Sequence, residues 1–139
     1  MNKSSFSISL DTHNVLDYVA GFALIGGPYL FGFSDIYTAR NTFMGLGALL
    51  IAYSLITRYR YSVLKIVPVG VHMAMDVILG IAVMGAPFLF SYDVLLTRFQ
   101  YAIHFVYGLA AVGLVVLTRP KSKELIVSLE EGEDYEQAA

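Results

Sequence analysis

Two short stretches of this sequence carry groups able to do chemistry. HNVLD holds His13 and Asp17, and HMAMD holds His72 and Asp76. A four-residue spacing puts each pair on one face of a helix, one turn apart. Partly desolvated, an imidazole beside a carboxylate titrates near neutral pH and passes protons. Two such pairs also supply nitrogen and oxygen ligands of the kind that suit zinc or manganese. A third reading needs no ligand. A carboxylate near the start of a helix interacts favourably with the helix dipole, by about 0.3–1 kcal/mol. The sequence leaves all three open, although an aspartate placed below lipid headgroups is costly and needs a partner.

Other reactive groups are few. His104 lies inside an apolar run, where a histidine either hydrogen-bonds a neighbour or ligates haem. A haem clamp commonly needs a second histidine at similar depth, and His13 and His72 are predicted near the opposite end. The absence of cysteine excludes disulfides, thiolate metal sites and thiol catalysis. No Walker loop, nucleotide fingerprint, nucleophile elbow or zinc-protease helix is present, and no soluble domain is large enough for a conventional active site. These absences argue against an enzyme. A formal net charge of −2 gives no reason to expect a nucleic-acid partner.

The elements that must position these residues are apolar. Of 139 residues, 57% are hydrophobic and 14% charged, against about 45–50% and about 25% in soluble domains. Four runs carry no charge: 18–34, 41–57, 77–92 and 99–118. Each is close to the roughly 17–25 residues that a helix needs to cross a bilayer, and a lone strand there would leave its backbone unpaired. The expectation is an all-α integral membrane protein of four transmembrane helices. It divides into a polar leader (1–12), a first two-helix unit (13–57), an interfacial connection (58–70), a second two-helix unit (71–118) and an acidic tail (119–139). With four spans, Lys3, Arg58, Arg60, Lys65, Arg119, Lys121 and Lys123 share one side, against Arg40 and Arg98 on the other. The positive-inside rule then puts both termini in the cytoplasm, N-in and C-in. The expected membrane is the bacterial or archaeal cytoplasmic one.

The two units are copies. A shift of 59 carries His13 onto His72, Asp17 onto Asp76, Gly21 onto Gly80, Pro28 onto Pro87 and Phe31 onto Phe90. After a two-residue insertion, a shift of 61 carries Gly47 onto Gly108 and Thr57 onto Thr118. Two spans per copy predict a parallel repeat about a pseudo-two-fold axis along the membrane normal. The small-residue–Pro–aromatic step late in the first helix of each unit resembles the SPW-repeat family of small integral membrane proteins. The step reads Gly27-Pro28-Tyr29 and Ala86-Pro87-Phe88, where the family's namesake is Ser-Pro-Trp, and the chain has no tryptophan. The resemblance covers roughly residues 13–118. It implies a membrane-embedded repeat and no assigned activity.

Each proline removes one helical hydrogen bond, which predicts a kink or helix end. Tyr29, Phe31, Phe33, Phe88, Phe90 and Tyr92 would join an aromatic belt at the interface. The small pairs Ala23/Gly27 and Ala82/Ala86 allow close backbone approach in lipid and predict that the first and third helices meet near the axis. Arg40 and Arg98 would snorkel outward, with cross-turn pairing to Asp35 and Asp93. The favoured function is a small interaction or accessory module, a homo-oligomer or the companion of another membrane protein. The alternatives are a proton, ion or small-solute pathway lined by the His–Asp pairs, and a haem- or metal-binding membrane subunit.

Overall fold

Each apolar run forms a helix in the computed structural model, which describes residues 7–118. The helices are α1 (Leu10–Leu30), α2 (Tyr37–Ile56), α3 (Val69–Leu89) and α4 (Arg98–Leu117), with a single 3₁₀ turn at Asp93–Leu95 before α4. Their starts follow from local chemistry. The Ser9 hydroxyl accepts from the Thr12 N–H at 3.2 Å and caps α1. Thr97 and Gln100 form a reciprocal capping box on α4, satisfying donors that the first turn leaves free.

The ends of α1 and α3 are equivalent. Pro28 and Pro87 sit two residues before the last helical residue, so each proline precedes a helix end. The Phe33 N–H then donates to the Pro28 carbonyl, and the Tyr92 N–H to the Pro87 carbonyl, both at 2.9 Å. This is a Schellman closure, which needs a left-handed residue between cap and donor. Gly32 takes that place at φ 72°, and its counterpart Ser91 at φ 55°. The closure turns Phe33 and Tyr92 into the core, where both are buried. They therefore leave the aromatic belt expected from sequence, while Tyr29, Phe88 and Phe90 stay exposed.

Close packing occurs within each unit, at glycine crossings. A Cβ on Gly47 would stand 2.6 Å from the Gly21 carbonyl oxygen, and one on Gly80 would stand 2.8 Å from that of Gly108. The backbones meet there because neither residue has a side chain. The main helix contacts are α1 with α2 and α3 with α4, then α2 with α3. The expected meeting of the first and third helices through Ala23/Gly27 and Ala82/Ala86 is therefore corrected. The pair equivalent to α2–α3 is α4–α1, and it leaves an apolar groove of about 500 Å³ lined by residues such as Leu16, Val19, Ile103 and Val106. The Tyr107 hydroxyl bridges this gap to the Ala20 carbonyl.

The span count also changes. α2, α3 and α4 are long and apolar enough to cross a membrane, and α1 is not. The protein is thus membrane-embedded, but four transmembrane helices in two spanning hairpins are not what the structure supports. The physical reason is the content of α1, which spends its early turns on His13, Asn14 and Asp17 and its late ones on Gly26, Gly27 and Pro28. The assignment of both termini to the cytoplasm rested on an even number of spans, whereas three helices here are of spanning length and hydropathy. Of its basic residues, Lys3, Arg119, Lys121 and Lys123 lie outside the described residues, as does the acidic tail.

Two backbone clips lock one unit to the other. Ile8 forms an isolated parallel bridge to Thr118, and Val67 forms one to Thr57. Ile8 and Val67 are equivalent by the 59-residue shift, and Thr57 and Thr118 by the 61-residue shift. The segment leading into the first helix of each unit is thus tied to the end of the second helix of the other. This exchange sets the geometry of the site.

Candidate metal centre

His13 and Asp17 project from α1 and His72 and Asp76 from α3, at the end of the bundle that holds both clips. All four are buried, with relative exposures of 0%, 2%, 0% and 4% in that order. Asp17 and Asp76 are each the eighth residue of their helix, beyond the first turn where the dipole acts. Ser9 already caps α1. The helix-end reading of these carboxylates therefore does not describe them.

The pairing runs across the units. His13 Nε2 lies 3.0 Å from Asp76 Oδ2 and 3.4 Å from Asp17 Oδ1. His72 Nε2 lies 3.0 Å from Asp17 Oδ2 and 3.2 Å from Asp76 Oδ2. One ligand atom from each residue can be chosen so that all four lie within 4.8 Å of one another. Tetrahedral zinc with bonds of about 2.0–2.2 Å has ligand-to-ligand edges of roughly 3.3–3.6 Å. The nitrogen–oxygen distances of 3.0–3.4 Å are close to that length, with Asp17 turning a different oxygen to each histidine.

The outer nitrogens decide which way the inner ones face. The Thr57 hydroxyl donates to the Tyr53 carbonyl at 2.7 Å, and that of Thr118 to the Leu114 carbonyl at 2.6 Å. Each hydroxyl has one proton, so it can only accept from the histidine beside it. His72 Nδ1 therefore donates to Thr57 at 2.8 Å, and His13 Nδ1 to Thr118 at 2.7 Å. This leaves both Nε2 atoms directed at the carboxylates. A histidine that ligates a metal typically donates its other N–H in this way. The two carboxylates together neutralise a divalent ion, which removes most of the cost of burying its charge.

The surroundings are not symmetric. The Tyr53 hydroxyl donates to Asp76 Oδ1 at 2.5 Å. The equivalent of Tyr53 in the second unit is Leu114, so Asp17 has no matching donor. His72 packs edge-on between the rings of Tyr53 and Tyr59, at centroid distances of 4.7 Å and 4.8 Å. Sequence reasoning missed Tyr53, Tyr59 and the threonines as parts of the site. The duplication of Thr57 at Thr118 was the available signal for the threonines, whereas the tyrosines are single-copy and left none.

The remaining candidates lie elsewhere. His104 is buried, donates from Nδ1 to the Gln100 carbonyl at 2.7 Å, and accepts at Nε2 from the Tyr92 hydroxyl at 3.2 Å. Its ring packs against Phe33 and Phe43. Both nitrogens are engaged, so His104 has no free position for haem. Gln100 Nε2 donates to the Gly32 carbonyl at 2.9 Å, which joins α4 to the turn after α1. Gly27, Pro28, Ala86 and Pro87 are buried at this same far end, with Tyr29 and Phe88 exposed. Arg40 bonds the Ser34 carbonyl and lies over the Tyr37 ring, and among the described residues neither it nor Arg98 forms an ion pair with Asp35 or Asp93.

No curated protein and no solved structure matches the chain. A family model described as the SPW repeat domain matches residues 11–118, a span that holds both helical units, all four ligand candidates and both threonines. The small-residue–Pro–aromatic step is thus one part of a likeness that extends over most of the length, and the chain belongs to the SPW-repeat family.

Proposed function

We propose that this protein is a membrane-embedded module that binds one divalent metal ion, of the zinc type, between its two repeats. His13, Asp17, His72 and Asp76 are the ligands. The observation that carries this reading is the facing of two Nε2 atoms, each with its outer N–H committed to a threonine, onto two buried carboxylates. Because each histidine stands nearest the aspartate of the other unit, a bound ion joins the two units, and holding them together is the role this geometry supports.

A specific feature weighs against a conducting pathway. Between the polar end and His104, the buried side chains are Leu24, Leu50, Leu79, Val83 and Phe43. Among the described residues this is an apolar plug, and the Tyr107 hydroxyl beside it is taken by the Ala20 carbonyl. Binding at one end suits such an interior better than passage along it.

The test is metal content and stability. Protein purified in detergent is stripped with chelator, reloaded with zinc, and measured by mass spectrometry of the intact chain and by thermal unfolding. One ion per chain is expected. At a free concentration 100-fold above Kd, stabilisation of about 2.7 kcal/mol is expected. A His13→Ala/His72→Ala variant that binds as much zinc as the parent would overturn the proposal.

A further inference from the structure

The buried side-chain polar atoms without a hydrogen-bond partner among the described residues are Asn14 Nδ2 and Oδ1, Ser54 Oγ and the Tyr59 hydroxyl. All belong to the end of the bundle that holds the metal ligands. Asn14 follows His13 and is one turn before Asp17 on α1, while Ser54 is between Tyr53 and Thr57 on α2. Tyr59 packs its ring against both imidazoles, at 4.8 Å from His72 and 6.0 Å from His13. At the far end, by contrast, Gln100, His104 and Tyr92 are all bonded. Leaving such a group unpaired in a dry interior costs about 1–3 kcal/mol, and each instance calls for a partner such as a water or an ion.

A bare four-coordinate ion would not satisfy these groups, because the four ligands already complete its shell. They are also outside the symmetric framework. The repeat duplicates His, Asp and Thr, but the counterpart of Asn14 is Met73. Tyr59 has no ligand role, and its buried hydroxyl has no partner among the described residues. On the ligand side, Tyr53 holds Asp76 by one oxygen, while Asp17 is held by the two histidines and by no tyrosine.

We infer that the metal keeps an exchangeable fifth position beside Tyr59 and Asn14, filled by water or a small inorganic anion to which these side chains hydrogen-bond. Zinc is not bound to one geometry and can expand from four to five ligands when a further one enters. The inference rests on the metal reading above and deepens it. Asp17 yields as the added ligand enters, and Tyr59 and Asn14 hold that ligand.

The experiment loads the purified full chain with cobalt(II), whose visible bands report coordination number, and titrates with azide. The expected result is a saturable spectral change on azide addition. For Tyr59→Phe, azide affinity per bound cobalt should fall about tenfold, the loss of one hydrogen bond. Reading affinity per bound cobalt separates the added ligand from metal loading. Cobalt uptake with a four-coordinate spectrum that azide leaves unchanged would overturn this inference alone. An azide response identical in parent and Tyr59→Phe would remove Tyr59 from it, and the same comparison with Asn14→Leu would then overturn the placement if it too were unchanged. Failure of the parent to take up cobalt or zinc would overturn the metal reading and this inference with it.

Discussion

His13 stands closer to Asp76 of the other unit, at 3.0 Å, than to Asp17 one turn along its own helix, at 3.4 Å. The same exchange holds for His72, nearer Asp17 than Asp76. Each motif is therefore completed by the other copy. Neither repeat alone holds a site, and disruption of one half should be felt in both.

Removing a single carboxylate should destabilise the whole bundle. Asp76→Ala leaves His13, His72 and the Tyr53 hydroxyl without their shared acceptor. Loss of one partner from a buried charged pair costs about 3–5 kcal/mol. Thermal unfolding in detergent, followed by circular dichroism without added metal, should show Asp76→Ala markedly less stable than the parent. Asp17→Ala should be milder, because no tyrosine depends on Asp17. Equal effects would deny the asymmetry assigned to Tyr53.

The threonines should tune metal affinity without being ligands. Thr57→Val and Thr118→Val remove the acceptor that orients each imidazole while keeping the side-chain shape. Loss of such outer partners weakens metal binding by about 10–100-fold. Competition of zinc between the protein and a chromophoric chelator measures this directly. Unchanged zinc affinity in both variants would mean that the imidazoles are held by something else.

Acid should release the metal. Ligation needs both Nε2 atoms and both carboxylates free of protons, so protons compete with the ion and affinity falls as pH falls. The sign is fixed by the ligand set: binding is strong above the histidine range and lost below it. Zinc titrations at several pH values between neutral and mildly acidic should show a steady decline. A flat profile would count against two histidine ligands.

The glycine crossing separates two neighbouring residues of one helix. Gly47→Ala drives a methyl into the Gly21 backbone, while a Cβ on Gly45 meets nothing within 4 Å. Overpacking of this kind costs about 1–3 kcal/mol. Gly45→Ala should instead be neutral or stabilising by up to about 1 kcal/mol through helix propensity. Unfolding midpoints of the two variants should move in opposite directions or differ by that interval.

The turn after α3 carries a correctable strain. Ser91 takes the left-handed conformation that glycine takes at the equivalent Gly32. Ser91→Gly should stabilise by about 1 kcal/mol, and Gly32→Ala should destabilise by about 1–2 kcal/mol. The same unfolding assay resolves both, and a destabilised Ser91→Gly would show that the Ser91 side chain has a role of its own.

The sequence by itself determined the helices, the repeat and the identity of the four candidate ligands. Apolar runs of spanning length and prolines before the turns are local properties, so they can be read without a partner. The 59-residue register also makes His13 equivalent to His72 and Asp17 to Asp76. Hydropathy patterning overcounted the spans because it treated α1 as one more apolar run, although its polar residues are the ones that build the site.

Only the tertiary structure decided who faces whom. A helical spacing identifies one face of one helix and says nothing about the element opposite. The glycine crossings bring the helices of each unit together, and the Ile8–Thr118 and Val67–Thr57 clips tie the two units in exchange. That exchange sets each histidine against the threonine of the other unit, turns Nε2 inward, and makes two helix-bound pairs into one buried cluster. The physical reason is that hydrogen bonds between residues 15 to 105 positions apart depend on how backbones pack, and no local pattern in the chain encodes that packing.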